Sequence, residues 1–408
     1  MSQPFPNPSL SRPSRRTLFT AGLALASSAV LVACGGGGDT STAPSTGSTS
    51  QASSYAQGPI TGFGSVFVGG VRYDDSAAAV EDDDGNTMSR SMLKLGMVVE
   101  VDAGRIDRLA STALALRIRW SSEVVGPVGT VDPLASTVQV LGQTVLVTSS
   151  TLFDETLMGG LSALTPGTVV EVYGLLDPSN GRIVATRIEA EDSASAYKVR
   201  GQITNLDSTA KTFTINGLPI SYTNLPGGLV PPGLVNGQYV RVRLQTTQVA
   251  GAWVATGIRG GLRVPQADRD SHVEGIVTSF TSTSTFQVNG LAVDASNARF
   301  PDGTDGVRLG ARVEVEGVVV NGVIVASKVE IEERRIPGPR QWELRGEVGR
   351  LNTTDKTFAL RGLTVWYGGT VDYRDGSETR LSNGARVEVK GVLAADRTRL
   401  EAKRIEFK

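Results

Sequence analysis

The chain writes one short segment five times. Residues 310–317 read GARVEVEG, and residues 96–102 (GMVVEVD), 167–174 (GTVVEVYG), 237–244 (GQYVRVRL) and 384–391 (GARVEVKG) follow the same plan. A glycine opens each copy. Valines stand three and five residues later, at Val99/Val101, Val170/Val172, Val240/Val242, Val313/Val315 and Val387/Val389. The residue between them is charged every time: Glu100, Glu171, Arg241, Glu314 and Glu388. Apolar side chains at period two with a charge between them describe a strand with one dry and one wet face. The opening glycines lie 71, 70, 73 and 74 residues apart. A fixed period of that size overrides the usual length-based domain estimate for 408 residues and predicts five tandem units.

The surroundings of this hallmark strand also repeat. Each unit opens on a strand holding a glycine (Gly58, Gly126, Gly201, Gly275 or Gly346), where a bulge or sharp bend is expected. A hairpin follows at Gly70, Gly142, Gly217, Gly290 or Gly362, clearest as Asn289-Gly290. Apolar residues four and two positions before that glycine, such as Phe286 and Val288, mark the inward face of the strand. An irregular stretch leads to the hallmark strand, and a closing strand such as 322–331 (GVIVASKVEI) ends the unit. Strand, hairpin, irregular stretch, strand, strand is the order of an OB-like barrel with a small helix before its fourth strand. Residues 77–95 and 150–166 are long enough to hold that helix.

The expected fold class is therefore all-β: five tandem small OB-like β-barrel domains, beads on a string, after a signal peptide and a flexible linker. The boundaries fall at 58–121, 122–196, 197–271, 272–340 and 341–408, with linkers near 190–196, 262–271 and 333–340. Units this small build thin cores, so neighbours are expected to touch.

The N-terminus reads as an address. Ser14-Arg15-Arg16-Thr17-Leu18-Phe19 has paired arginines before apolar residues, as twin-arginine export signals do, and residues 18–33 form a short apolar run. The run ends in Leu31-Val32-Ala33-Cys34-Gly35, which looks like a bacterial lipobox. Residues 1–33 are thus expected to be a signal peptide, Cys34 the lipidated residue, and 34–57 a Gly/Ser/Thr-rich tether. The expected location is the cell envelope, facing periplasm or surface, with the membrane as a partner through the lipid.

Counting residues removes several chemistries. Cys34 is the only cysteine and His272 the only histidine, so an intrachain disulfide, a Cys–His nucleophile pair and a multi-histidine zinc site are excluded. No cofactor and no catalytic residue are indicated. His272 is expected to be an exposed or packing residue. The acidic run 81–86 (EDDDGN) invites a calcium reading at Asp82 and Asp84. An EF-hand would need an acid where Val80 stands and a Glu where Ser91 stands, so a solvated acidic turn is the simpler expectation.

Charge is uneven along the chain. Residues 122–196 carry two basic and nine acidic side chains, whereas residues 197–271 carry eight basic and three acidic. The basic unit places Arg241, Arg243 and Tyr239 on its hallmark strand with Lys198 and Arg200 nearby, a candidate polyanion-binding face. Its opposing expectation is an ordinary solvated or internally neutralised surface.

The lipobox, the Gly-x-Ile openings, the Gly-x-x-Val-Glu-Val-x-Gly hallmark and the closing Ala-x-x-Ile-Glu resemble the bacterial family called domain of unknown function 5666. Residues 62–71 (GFGSVFVGGV) of the first unit make the closest match, and the likeness runs over 58–408. It implies exported, often lipid-anchored, repeated small β-domains and transfers no catalytic residue. The expected function is a non-enzymatic binding or scaffolding module for envelope glycans, polyanions or proteins. The alternatives are a carboxylate-based polysaccharide-active enzyme or accessory, and a passive spacer.

Overall fold

The structure is a computed structural model that describes residues 53–192, 194–261, 265–266, 268–332, 341–394 and 399–408. The signal-peptide reading of 1–33, the lipidation of Cys34 and most of the 34–57 tether lie outside the described residues.

The fourth unit shows how the repeat is wired. Its first strand, Arg269–Ser282, pairs antiparallel with Thr285–Val288 and with the hallmark strand Arg312–Val320. Thr285–Val288 turns back into Leu291–Asp294, which runs parallel to the closing strand Val323–Ile331. The closing strand pairs antiparallel with the hallmark strand, so the pairing runs first, second, third, fifth, fourth and back to first. The same circuit links Val124–Asp132 through Arg182–Ala190, Tyr197–Asp207 through Ala252–Gly260, and Gln341–Glu347 through Arg399–Phe407. Residues 54–120 repeat it, with a single Gly62–Phe67 bridge joining the first and second strands.

Local chemistry explains the wiring. All ten hallmark valines are buried, none more than 1% exposed, which is the dry face of the period-two pattern. The glycine opening each hallmark strand has φ between +79° and +90°, a conformation closed to most side chains. Both central residues of every hairpin have positive φ, the type I′ geometry that suits strand twist. Asn216-Gly217 and Asn289-Gly290 are favoured sequences for it, whereas Leu141-Gly142 and Arg361-Gly362 adopt it with a non-glycine residue that tertiary packing must hold. The hallmark and closing strands shift register once, immediately before Gly174, Gly317 and Gly391. A Cβ on Gly317 would stand 2.3 Å from the Val325 carbonyl oxygen, so the bulge there needs glycine.

Several expectations are corrected. The glycine in the first strand is not a bulge against the hallmark strand: Gly275 stays in continuous register opposite Val313. Its role is close approach, since a Cβ there would meet Asn289 Nδ2 at 2.2 Å, and Asn289 Oδ1 accepts the Ile276 N–H at 3.0 Å. The plug helix is absent among the described residues. In place of a helix, residues 77–95 hold the short strand Ala79–Glu81 and the 3-10 turn Arg90–Met92, and residues 150–166 hold the strand Leu152–Phe153 and the 3-10 turn Gly160–Ala163. The tether ends early, because Ser54–Pro59 is already a strand with Tyr55 and Ala56 buried. The 262–271 linker likewise gives way to strand from Arg269.

The bead-on-a-string arrangement is the largest correction. Ser54–Gln57 of the first unit runs parallel to Asp270–Val273 of the fourth, and Val124–Val125 of the second pairs with Lys198–Val199 of the third. Two eleven-stranded sheets and one seven-stranded sheet result. The first and fifth units share one continuous core, to which Leu152 and Tyr173 of the second contribute. Val98, Leu175 and Ile276 make a further apolar contact among the first, second and fourth units. Each unit alone has too little interior to fold robustly, and burying its outer faces against neighbours supplies the missing apolar area.

Candidate functional site

The basic residues of the third unit do share one face. Its first strand Tyr197–Asp207 and hallmark strand Tyr239–Val249 are antiparallel, with Lys198 opposite Arg243 and Arg200 opposite Arg241. Like charges directly opposite each other repel, so this face requires anions close by. The rest of the chain provides them.

The acidic turn of the first unit docks onto it. Asp83 Oδ2 accepts from Lys198 Nζ at 3.0 Å and lies 3.3 Å from Arg241 Nη1. Asp84 Oδ1 accepts from Arg241 Nη2 at 2.8 Å, and its Oδ2 accepts from Arg243 Nη1 at 3.0 Å. The backbone carbonyls join in, with Arg241 donating to Asp83 O and Arg259 to Asp84 O. The turn is shaped by Asp82, whose carboxylate accepts the N–H groups of Asp84 and Asn86 and the Asn86 side-chain amide. On the other side Tyr239 donates its hydroxyl to Glu123 Oε2 at 3.1 Å, and Arg200 donates to Ser121 Oγ at 3.2 Å. Lys198 also sits 3.8 Å from Glu171.

All five residues expected to bind a polyanion are therefore brought together, and acids of the first and second units already face them. Arg241 is buried, while Arg243 and Arg259 remain half-open at the rim with side chains 50% and 60% exposed. The acidic turn is solvated only in part: Gly85 and Asn86 are exposed, but the Asp83 side chain is only 6% exposed. Asp82 and Asp84 point to different partners, Asp82 into its own turn and Asp84 onto the arginines. They form no joint cation cage.

Electrostatics follow burial. Desolvation would raise the Asp83 carboxyl, but the charges of Lys198, Arg241 and Arg200 outweigh it and hold the group below its ordinary value. Burial pushes Glu123 up despite Arg200 and the Tyr239 hydroxyl. Burial pushes Glu100 up to about 7 against the pull of Arg200 and Arg119. Asp83, Glu100, Arg119, Arg200 and Arg241 line a cavity of about 220 Å³ at this junction. The charged positions between hallmark valines are thus not a wet face. Glu314 is buried, and Glu100, Glu171 and Glu388 are half-buried.

A second tie between units rests on a residue that the repeat pattern does not mark. Arg187, one of two basic residues in the acidic second unit, is fully buried. It pairs with Glu189 and donates to the carbonyls of Leu95 at 3.2 Å and Gly362 at 2.9 Å, tying three units together. The only hint in the sequence is the scarcity of bases there, Arg182 and Arg187 amid nine acids.

A family model described as a domain of unknown function (DUF5666) matches residues 125–189, 200–259, 274–330 and 345–406. By that measure the repeat count is four and not five. Residues 62–71, expected to be the closest match, fall outside it. The first unit departs by carrying Gly69-Gly70 in its hairpin and by its long 77–95 insert with the acidic turn. No curated protein matches the chain. A solved structure titled "drosophila Unr CSD456" aligns at 14% identity over 53% of this chain and 98% of its own, with a TM-score of 0.14, too low to bear on fold or function.

Proposed function

The chain belongs to the DUF5666 family of domains of unknown function, and from that premise we propose that it is a non-enzymatic scaffold of the bacterial envelope. In this reading a lipid on Cys34 holds it to a membrane, and its units, five by strand pairing, are OB-like barrels locked into one body. The strand order first, second, third, fifth, fourth, with third parallel to fifth, supports the barrel assignment.

The observation that carries the scaffold reading is the use made of charge. The basic face of the third unit is spent on contacts with Asp83, Asp84, Glu123 and Glu171 of other units. Charge placed that way fixes unit against unit and leaves little for an incoming polyanion. A rigid body offering its outer surfaces to envelope proteins or glycans fits such a design better than an electrostatic groove does.

The test uses the full-length protein in bacterial cells and after purification in detergent. Wild type should fractionate with membranes and incorporate a fatty-acid analogue, and Cys34→Ala should do neither. Purified wild type should also show no salt-dependent retention of polyphosphate. Equal labelling of both proteins would remove the anchor. Retention that falls steeply between about 50 and 200 mM salt would replace the scaffold by a polyanion binder.

A further inference from the structure

A second polar cluster lies on the fourth unit, away from the Asp83 junction. His272 on the first strand stands directly opposite Glu316 of the hallmark strand. Glu314, two residues earlier, shares that face. One ligand atom from each of these three side chains lies within 4.8 Å of the other two. Glu314 is buried and His272 half-buried, and the His272 Nδ1 atom is buried without a hydrogen-bond partner. The hairpin turn of the first unit covers the cluster: a Cβ on Gly69 or Gly70 would stand 3.8 Å from Glu314 Oε1.

An imidazole and two carboxylates are donor types found in zinc sites with three protein ligands. A buried nitrogen lacking a partner is costly to keep, and a metal ion would satisfy it. Ligand atoms bound to zinc at about 2.1 Å stand roughly 3.4 Å apart, so modest side-chain rotations close the cluster. Glu316 is hydrogen-bonded to Lys328, but the Lys328 ammonium also lies 3.3 Å from Glu330. That second carboxylate can hold the lysine when Glu316 turns to a metal. We propose that His272, Glu314 and Glu316 form a binding site for one divalent zinc ion, beneath the Gly69-Gly70 turn, at the seam between the fourth and first units. It stands independently of the scaffold reading.

The test titrates zinc into EDTA-stripped, tag-free full-length protein in detergent, with Cys34→Ser present so that no thiol competes. One equivalent should bind. His272→Gln and Glu316→Gln should each weaken binding more than about tenfold, the least that loss of a direct ligand should cost. Lys328→Met should bind at least as tightly as the parent. Melting of the metal-free proteins checks that the variants fold, and near-isosteric Glu316→Gln decides alone if His272→Gln does not. Absence of binding by the parent would overturn the site. So would binding that survives both ligand substitutions, which would be adventitious surface zinc.

Discussion

Replacing Asp83 by Asn tests whether charge holds the units together. The substitution keeps the size of the side chain and removes the anion that Lys198 and Arg241 share at 3.0 and 3.3 Å. Asp83 and Arg241 side chains are only 6% and 9% exposed, so solvent cannot take over. Removing one partner of a buried ion pair costs about 3–5 kcal/mol, mostly because the other charge is left unsatisfied. Here each cation keeps a second carboxylate, Glu171 at 3.8 Å from Lys198 and Asp84 at 2.8 Å from Arg241. The expected loss is therefore near the low end, about 3 kcal/mol. Urea unfolding of the full-length protein in detergent at pH 7.5, read at the first transition, measures it. Adding Lys198→Met to Asp83→Asn should restore part of the loss, since both charges of one pair are then gone. The pH dependence has a definite sign. The folded Asp83 carboxyl lies below its ordinary value, so its contribution is complete at neutral pH and disappears as pH falls through the folded value. A loss under about 1 kcal/mol, the range of exposed pairs, would show that the docked turn contributes little and refute the reasoning.

Gly317→Ala forces a Cβ to within 2.3 Å of the Val325 carbonyl and should cost about 1–3 kcal/mol in unfolding free energy. Gly227→Ala, with nothing within 4 Å of the new methyl, should stay within about 0.5 kcal/mol of wild type. Glu100 is raised by burial to about 7, so the folded chain holds its proton at pH values where the unfolded chain has released it. Wild-type stability should then decline as pH rises from the ordinary carboxyl value of 4.5 through about 7. Glu100→Gln should flatten that decline in urea titrations across the interval; an unchanged slope would place the effect elsewhere.

Much of the local structure was legible from residue order alone. Paired valines at period two specified the strand and its inward face, and all ten are buried. Glycines at fixed offsets specified where positive φ would be needed, at the hairpins and at the entrance to each hallmark strand. Both signals are local: pleat periodicity and backbone sterics act within a few residues, so one sequence suffices to read them. The spacing of these elements even indicated the order in which strands close on themselves.

What tertiary structure alone decided was the fate of everything between those valines. A charged residue at an outward strand position looks the same whether water or another unit lies across from it. Arg241 therefore read as part of an outward polyanion-binding face and Glu314 as a wet-face residue, and both are buried. Asp83 and Arg241 are 158 residues apart, and no local pattern couples an acidic turn to a distant basic strand. The pairing of Ser54–Gln57 with Asp270–Val273 is equally invisible, because backbone hydrogen bonds across units carry no side-chain code. Leu141 and Arg361 hold left-handed hairpin positions that their own preferences oppose. Local preference is worth about a kilocalorie per residue, and packing that buries whole faces of small barrels outweighs it.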